Sequence, residues 1–65
     1  MKYTICFDTI CQGFQPVMCD DKPIAFTTEA EALAEVESDP EFYEDCFVCT
    51  VDAIGHKTIY TWGNA

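Results

Sequence analysis

Carboxylates and thiols are the side chains of this chain that could do chemistry, and both are unevenly placed. Eight of the twelve acids (Glu29, Glu31, Glu35, Glu37, Asp39, Glu41, Glu44 and Asp45) fall between Thr28 and Asp45, a stretch without lysine, arginine or histidine. Cys46 and Cys49 follow at C-x-x-C spacing, and His56 is the one histidine. Carboxylates share proton-transfer work when one is buried and its pKa displaced, and nothing in the pattern marks such a pair. An EF-hand loop turns on a central glycine, but none lies between Gly13 and Gly55. A redox C-x-x-C relies on a helix N-terminus to lower its thiol pKa. Here the pair sits in a strand pattern, where positions three apart point to opposite faces. A zinc site would have to be drawn from Cys6, Cys11, Cys19 and His56 with one member of the pair, and no second ligand pair at zinc-like spacing supports it. Gly13, Gly55 and Gly63 are isolated, so no glycine-rich phosphate loop exists. The chain therefore reads as a non-enzyme with no metal and no cofactor.

The charge balance narrows the partners. Net charge is −9, opposed only by Lys2, Lys22 and Lys57. Direct nucleic-acid binding by phosphate neutralisation is disfavoured, as is an anionic membrane surface. A cationic protein surface remains, and a field of this sign would steer encounter with it. The bland alternative for the same acids is a solvated face that keeps a small protein soluble. The chain is 49% hydrophobic and 14% aromatic, enough to fold despite the charge, and its 65 residues make one domain close to the lower limit for a self-sufficient core. No apolar run approaches the ~20 residues of a membrane span, and Met1-Lys2 leads into alternation rather than a signal-peptide core. A cytoplasmic protein is expected. Its five cysteines (Cys6, Cys11, Cys19, Cys46, Cys49) are then expected to be reduced.

Several elements must position these groups. Lys2 to Asp8 alternates, with Tyr3, Ile5 and Phe7 on one face, and reads as a first strand. Phe14 to Cys19 reads as a second, with Pro16 marking an edge or bulge. Asp20-Asp21-Lys22 is a polar turn, and Pro23 to Phe26 is a short third strand. Thr28 with Glu31 fits a capping box for an amphipathic helix over Glu29 to Glu37 with one carboxylate-covered face. That helix ends before Asp39-Pro40, because the residue preceding proline is pushed out of the helical region. Its like-charged Glu31–Glu35 pair costs ~0.2–0.5 kcal/mol. Glu41 to Asp45 is a further turn, in which at most one of Phe42 and Tyr43 is fully buried. Cys46 to Val51 and Thr58 to Trp62 complete a C-terminal hairpin, and Gly63 to Ala65 is a frayed end. The fold class is α+β, a small antiparallel sheet in the order β-β-β-α-β-β with one acidic helix packed on one face. Ala30, Leu33 and Val36 are expected to be buried, so that Leu33→Ala costs ~2–5 kcal/mol.

A single acidic α+β domain of this length, with free cysteines and an acid-covered helix, resembles the small phage-encoded anti-CRISPR proteins that inhibit type I surveillance complexes. The likeness is one of size, charge and organisation, with no shared motif. It implies a cytoplasmic, monomeric inhibitor in the host bacterial cell, bound to a Cas protein so that target DNA cannot load. Carboxylates three or four apart on a helix lie ~5–6 Å apart, a spacing able to engage successive basic side chains of a DNA channel as a DNA mimic. The candidate partner-binding residues are Glu31, Glu35, Glu37, Glu41, Glu44 and Asp45 as a rim. Phe42, Tyr43 or Trp62 is the desolvated anchor that tight binding needs. The rival reading is a phage or bacterial accessory domain with an assembly role.

Overall fold

Tyr3 is held by two segments far apart in the chain, Thr50 on one side and Phe26 on the other, and the architecture grows outward from that point. The computed structural model describes residues 2–64. It is an α+β fold of one helix and two three-stranded sheets.

The first sheet has the order β2-β1-β5, all antiparallel, with β1 at Tyr3–Thr9, β2 at Gly13–Pro16 and β5 at Phe47–Thr50. The β1–β2 loop of Ile10, Cys11 and Gln12 closes at Gly13, the first residue of β2, whose φ of 69° is a left-handed conformation that glycine adopts without strain. The Thr9 hydroxyl locks this turn by donating to the Gly13 carbonyl at 2.6 Å and accepting from the Gln12 amide at 3.1 Å. Pro16 lies opposite Cys6, a position whose missing N–H faces away from β1, so the ladder loses nothing.

The second strand expected over Phe14–Cys19 is broken at Val17. β2 stays with β1, while β3 (Met18–Cys19) turns away to pair with β4 (Lys22–Ala25). Asp20 and Asp21 join β3 to β4 with φ of 52° and 66°, the two left-handed residues of a type I′ turn. The expected C-terminal hairpin does not form. Two 3-10 turns, Val51–Ala53 and Lys57–Ile59, occupy that region. The chain then runs to β4 and pairs parallel with it as β6, Gly63–Asn64, residues expected to fray. β5 already pairs with β1. Tyr60 is drawn instead to Gln15, donating at 2.6 Å, and the Trp62 indole donates to the Lys57 carbonyl at 2.8 Å.

Helix α1 spans Glu29–Ser38 and contacts β1 and β5. Its start is as the sequence implied, with the Thr28 hydroxyl accepting from the Glu31 amide at 3.2 Å and donating to the Glu31 carboxylate at 3.1 Å. Its rotation is not. Ala32 is completely buried and Val36 partly so, whereas Ala30 is exposed and Leu33 is 45% exposed. The bulk of the core comes from Ile5, Phe26 and Tyr43, and a small residue sits where the helix presses closest on them.

Cys46 and Cys49, three apart, serve opposite faces of the first sheet. Cys46 packs against the helix-side core, while Cys49 is bonded to Cys6 in a disulfide that crosses β1 and β5 diagonally, with Cα atoms 6.4 Å apart. That overturns the expectation of five reduced thiols, because the strand register brings together two cysteines 43 residues apart in the chain. Cys11, Cys19 and Cys46 are free.

Candidate protein-interaction surface

Asp39-Pro40 ends the helix and starts the next turn. The Asp39 carboxylate accepts from the Phe42 amide at 3.3 Å and its carbonyl accepts from the Tyr43 amide at 3.2 Å. This is N-cap geometry with proline at the first helical position. The turn buries one of its two aromatics and leaves the other at the surface. Tyr43 is 5% exposed and part of the core, and Phe42 is 57% exposed. Their rings meet edge to face at 4.8 Å. Glu41, Glu44 and Asp45 are exposed in the same turn, with Glu37 exposed in the last turn of α1.

The expected rim therefore separates into two groups. Glu41, Glu44 and Asp45 share the turn that carries Phe42, with Glu37 just before it in the last turn of α1, and among the described residues none of the four is in an ion pair. The one ion pair among the described residues is Lys57 with Asp52 at 2.6 Å, which holds the Asp52 carboxyl below its usual range. Glu31 is engaged with Thr28 in the cap, and Glu35 accepts from the Tyr43 hydroxyl at 3.0 Å. These two lie on one flank of the buried Ala32–Val36 stripe and Glu37 on the other, so the acids flank an outward strip of Ala30 and Ala34 rather than covering a single face. Trp62 is half-buried and hydrogen-bonded. Phe42 is thus the expected anchor that remains available.

The Tyr43 hydroxyl lies in a pocket of about 20 Å³ lined by Thr4, Ile5, Cys19, Phe26 and Glu35 among others, room for one water. Burial raises the Tyr43 pKa well above the usual tyrosine range, and its bond to Glu35 and the nearby Cys19 thiol, 4.0 Å away, raise it further. Burial, with the neighbouring Asp45 charge, also pushes the Cys46 thiol up, which makes that cysteine a poor nucleophile at neutral pH. Among the described residues, no three His, Cys, Asp or Glu side chains converge in a metal-binding arrangement. Among the described residues, no helix is long and apolar enough to cross a membrane.

No protein-family model, curated protein or solved structure matches this chain. The edge position of β5, just after the acidic turn, is not legible in the sequence, because strand order in a sheet has no local signature. The acids themselves were legible as a run without counter-charge.

Proposed function

We propose that the protein is a non-enzymatic inhibitor that binds a basic nucleic-acid-binding protein, a subunit of a type I CRISPR surveillance (Cascade) complex, and blocks target-DNA access with an acidic, DNA-mimic-like surface. The observation that supports this reading is the exposed Phe42 in the same turn as the exposed Glu41, Glu44 and Asp45, with exposed Glu37 just before it, none of these acids in an ion pair among the described residues. A lysine- and arginine-lined DNA channel presents the complementary charge. Charge alone would give weak, salt-screened contacts, and a ring that can be desolvated in a partner's pocket supplies what charge lacks. Glu31 and Glu35 contribute to the field from the flank while staying engaged with Thr28 and Tyr43.

The test is co-elution with purified type I surveillance complexes, followed by a target-DNA gel shift at low and moderate salt. The expected result is a stable complex and a lost shift, with the shift restored when Glu37, Glu41, Glu44 and Asp45 are all changed to lysine. Phe42→Ala is expected to weaken binding by at least about tenfold. Absence of co-elution from every complex tried refutes the reading and leaves the acids as a solubilising face.

A further inference from the structure

We propose that the free edge of β5 is a docking site for an extended, lysine- or arginine-bearing segment of the partner, which adds to the sheet as a fourth strand. The proposal rests on the acidic-surface reading for the sign of the partner's charge, and on the sheet for its geometry.

Among the described residues, β5 has β1 on one side and no strand on the other. The Val51 amide donates to the Lys2 carbonyl, which fixes the alternation of the ladder. Phe47 and Cys49 turn their backbone groups toward β1, and Val48 and Thr50 turn theirs outward. Among the described residues, no turn or loop hydrogen-bonds to the backbone of Val48 or Thr50. Edge strands are ordinarily blunted by charge, proline or a bulge. The opposite edge of this sheet follows that rule, since Pro16 in β2 has no N–H to present there. β5, Phe-Val-Cys-Thr, carries neither charge nor proline. An added strand gains main-chain bonds along such an edge.

The charges select the occupant. Glu44 and Asp45 stand immediately before the strand, with Glu41 and the exposed Phe42 in the same turn. Antiparallel pairing of two copies with Val48 opposite Thr50 would put Asp52 of each opposite Cys46 of the other, next to Asp45, between molecules of charge −9. A cationic strand meets the same acids favourably. It would run past the turn as it zips along the edge, so one segment would engage both the acids and the backbone.

Thr50 provides a clean variant. Its φ of −80° is within proline's range and its N–H points outward, so Thr50→Pro removes one edge donor without touching the β1 ladder or any acid. The probe is a synthetic peptide of about nine residues alternating lysine and valine, compared with its glutamate counterpart and with a version N-methylated through its centre. Amide hydrogen exchange at Val48 and Thr50 is followed by NMR, with affinity measured in parallel. The lysine peptide is expected to slow exchange at both amides. The glutamate and N-methylated peptides are expected not to, and Thr50→Pro to weaken the lysine peptide by about tenfold.

Equal binding of the N-methylated peptide, or unchanged exchange at both amides, overturns the proposal. So does concentration-dependent protection without peptide, which would mean self-pairing. If Thr50→Pro does not fold, the N-methylated comparison on the native chain still decides. The two readings fail separately. A Thr50→Pro protein that blocks DNA loading as well as the native chain sinks strand addition alone, whereas edge protection by the lysine peptide without any engagement of a surveillance complex sinks the inhibitor reading alone.

Discussion

Tyr43 shows how one side chain divides this protein into interior and surface. Its ring joins Ile5, Phe26 and Ala32 in the core, and its hydroxyl donates to Glu35, which ties the turn after the helix back to the helix itself. Neighbouring Phe42 is left outside. The sequence carried the statement that one of two adjacent aromatics must be exposed. It did not carry which, because that depends on Asp39 setting the phase of the turn. The raised pKa of Tyr43 gives the tie a pH signature. Below about pH 10 both folded and unfolded chains keep the phenol proton. Above it the unfolded chain releases the proton while the folded chain, where burial and Glu35 oppose the phenolate, retains it. Stability is therefore present in full below the ordinary tyrosine pKa and is lost as pH rises beyond it. Tyr43→Phe should cost about 1 kcal/mol at neutral pH through the lost hydrogen bond, and its alkaline loss of stability should be shallower than the native chain's by one proton. Urea melts of both proteins between pH 8 and 11 measure this, and identical slopes would show that Tyr43 is not held as described.

At the scale of elements, the sequence was most legible where the signal was local. The strand at β1, the Thr28–Glu31 cap, the stop before Asp39-Pro40 and the strand at Phe47–Thr50, read as Cys46 to Val51, all form, but β1 is not half-buried by alternation: Thr4, Ile5 and Cys6 are all buried and Phe7 is exposed. What failed depended on partners distant in the chain. The periodicity of Ala30, Leu33 and Val36 suits a helix stripe, but so does Ala32 with Val36, and only the bulk of Phe26 and Tyr43 beneath decides for the second. Leu33→Ala should accordingly cost under about 1 kcal/mol rather than the 2–5 of a buried leucine. Ala32→Leu should cost about 1–3 kcal/mol by overpacking. Thermal melts of the two variants test the helix rotation, and a larger loss from the Leu33 change would reverse it. The apparent strand Thr58–Trp62 failed for a related reason. Its Tyr60 and Trp62 do meet, edge to face at 6.0 Å, but the backbone between 3-10 turn and β6 needs no alternating ladder to achieve that.

The whole molecule is closed by links that no window of sequence displays. β6 joins Gly63–Asn64 to β4, Tyr3 and Phe26 join the two sheets through reciprocal backbone bonds of 2.9 and 2.7 Å, and Cys6–Cys49 staples β1 to β5. An odd number of cysteines favours free thiols, and only the register of β1 with β5 shows which two are diagonal neighbours in the sheet. In the chain-entropy account, a bond closing a loop of this length stabilises the fold by about 4 kcal/mol, a large part of what a domain of this size has available. Thiol titration of the oxidised protein in denaturant without reductant should give three free thiols, from Cys11, Cys19 and Cys46, and five after reduction. Reduction, or changing both Cys6 and Cys49 to alanine, should lower the urea midpoint strongly, while Cys11→Ala, in the exposed β1–β2 loop, should leave it unmoved. The C-x-x-C is thereby split into two functions. Cys49 fastens β5 to its neighbour, and Cys46 fills the core beneath the helix. Both hold in place the strand whose other edge stays open beside the acids, so loss of the staple should loosen that edge before the helix. A denatured titration of five thiols without reductant would remove the staple from this account.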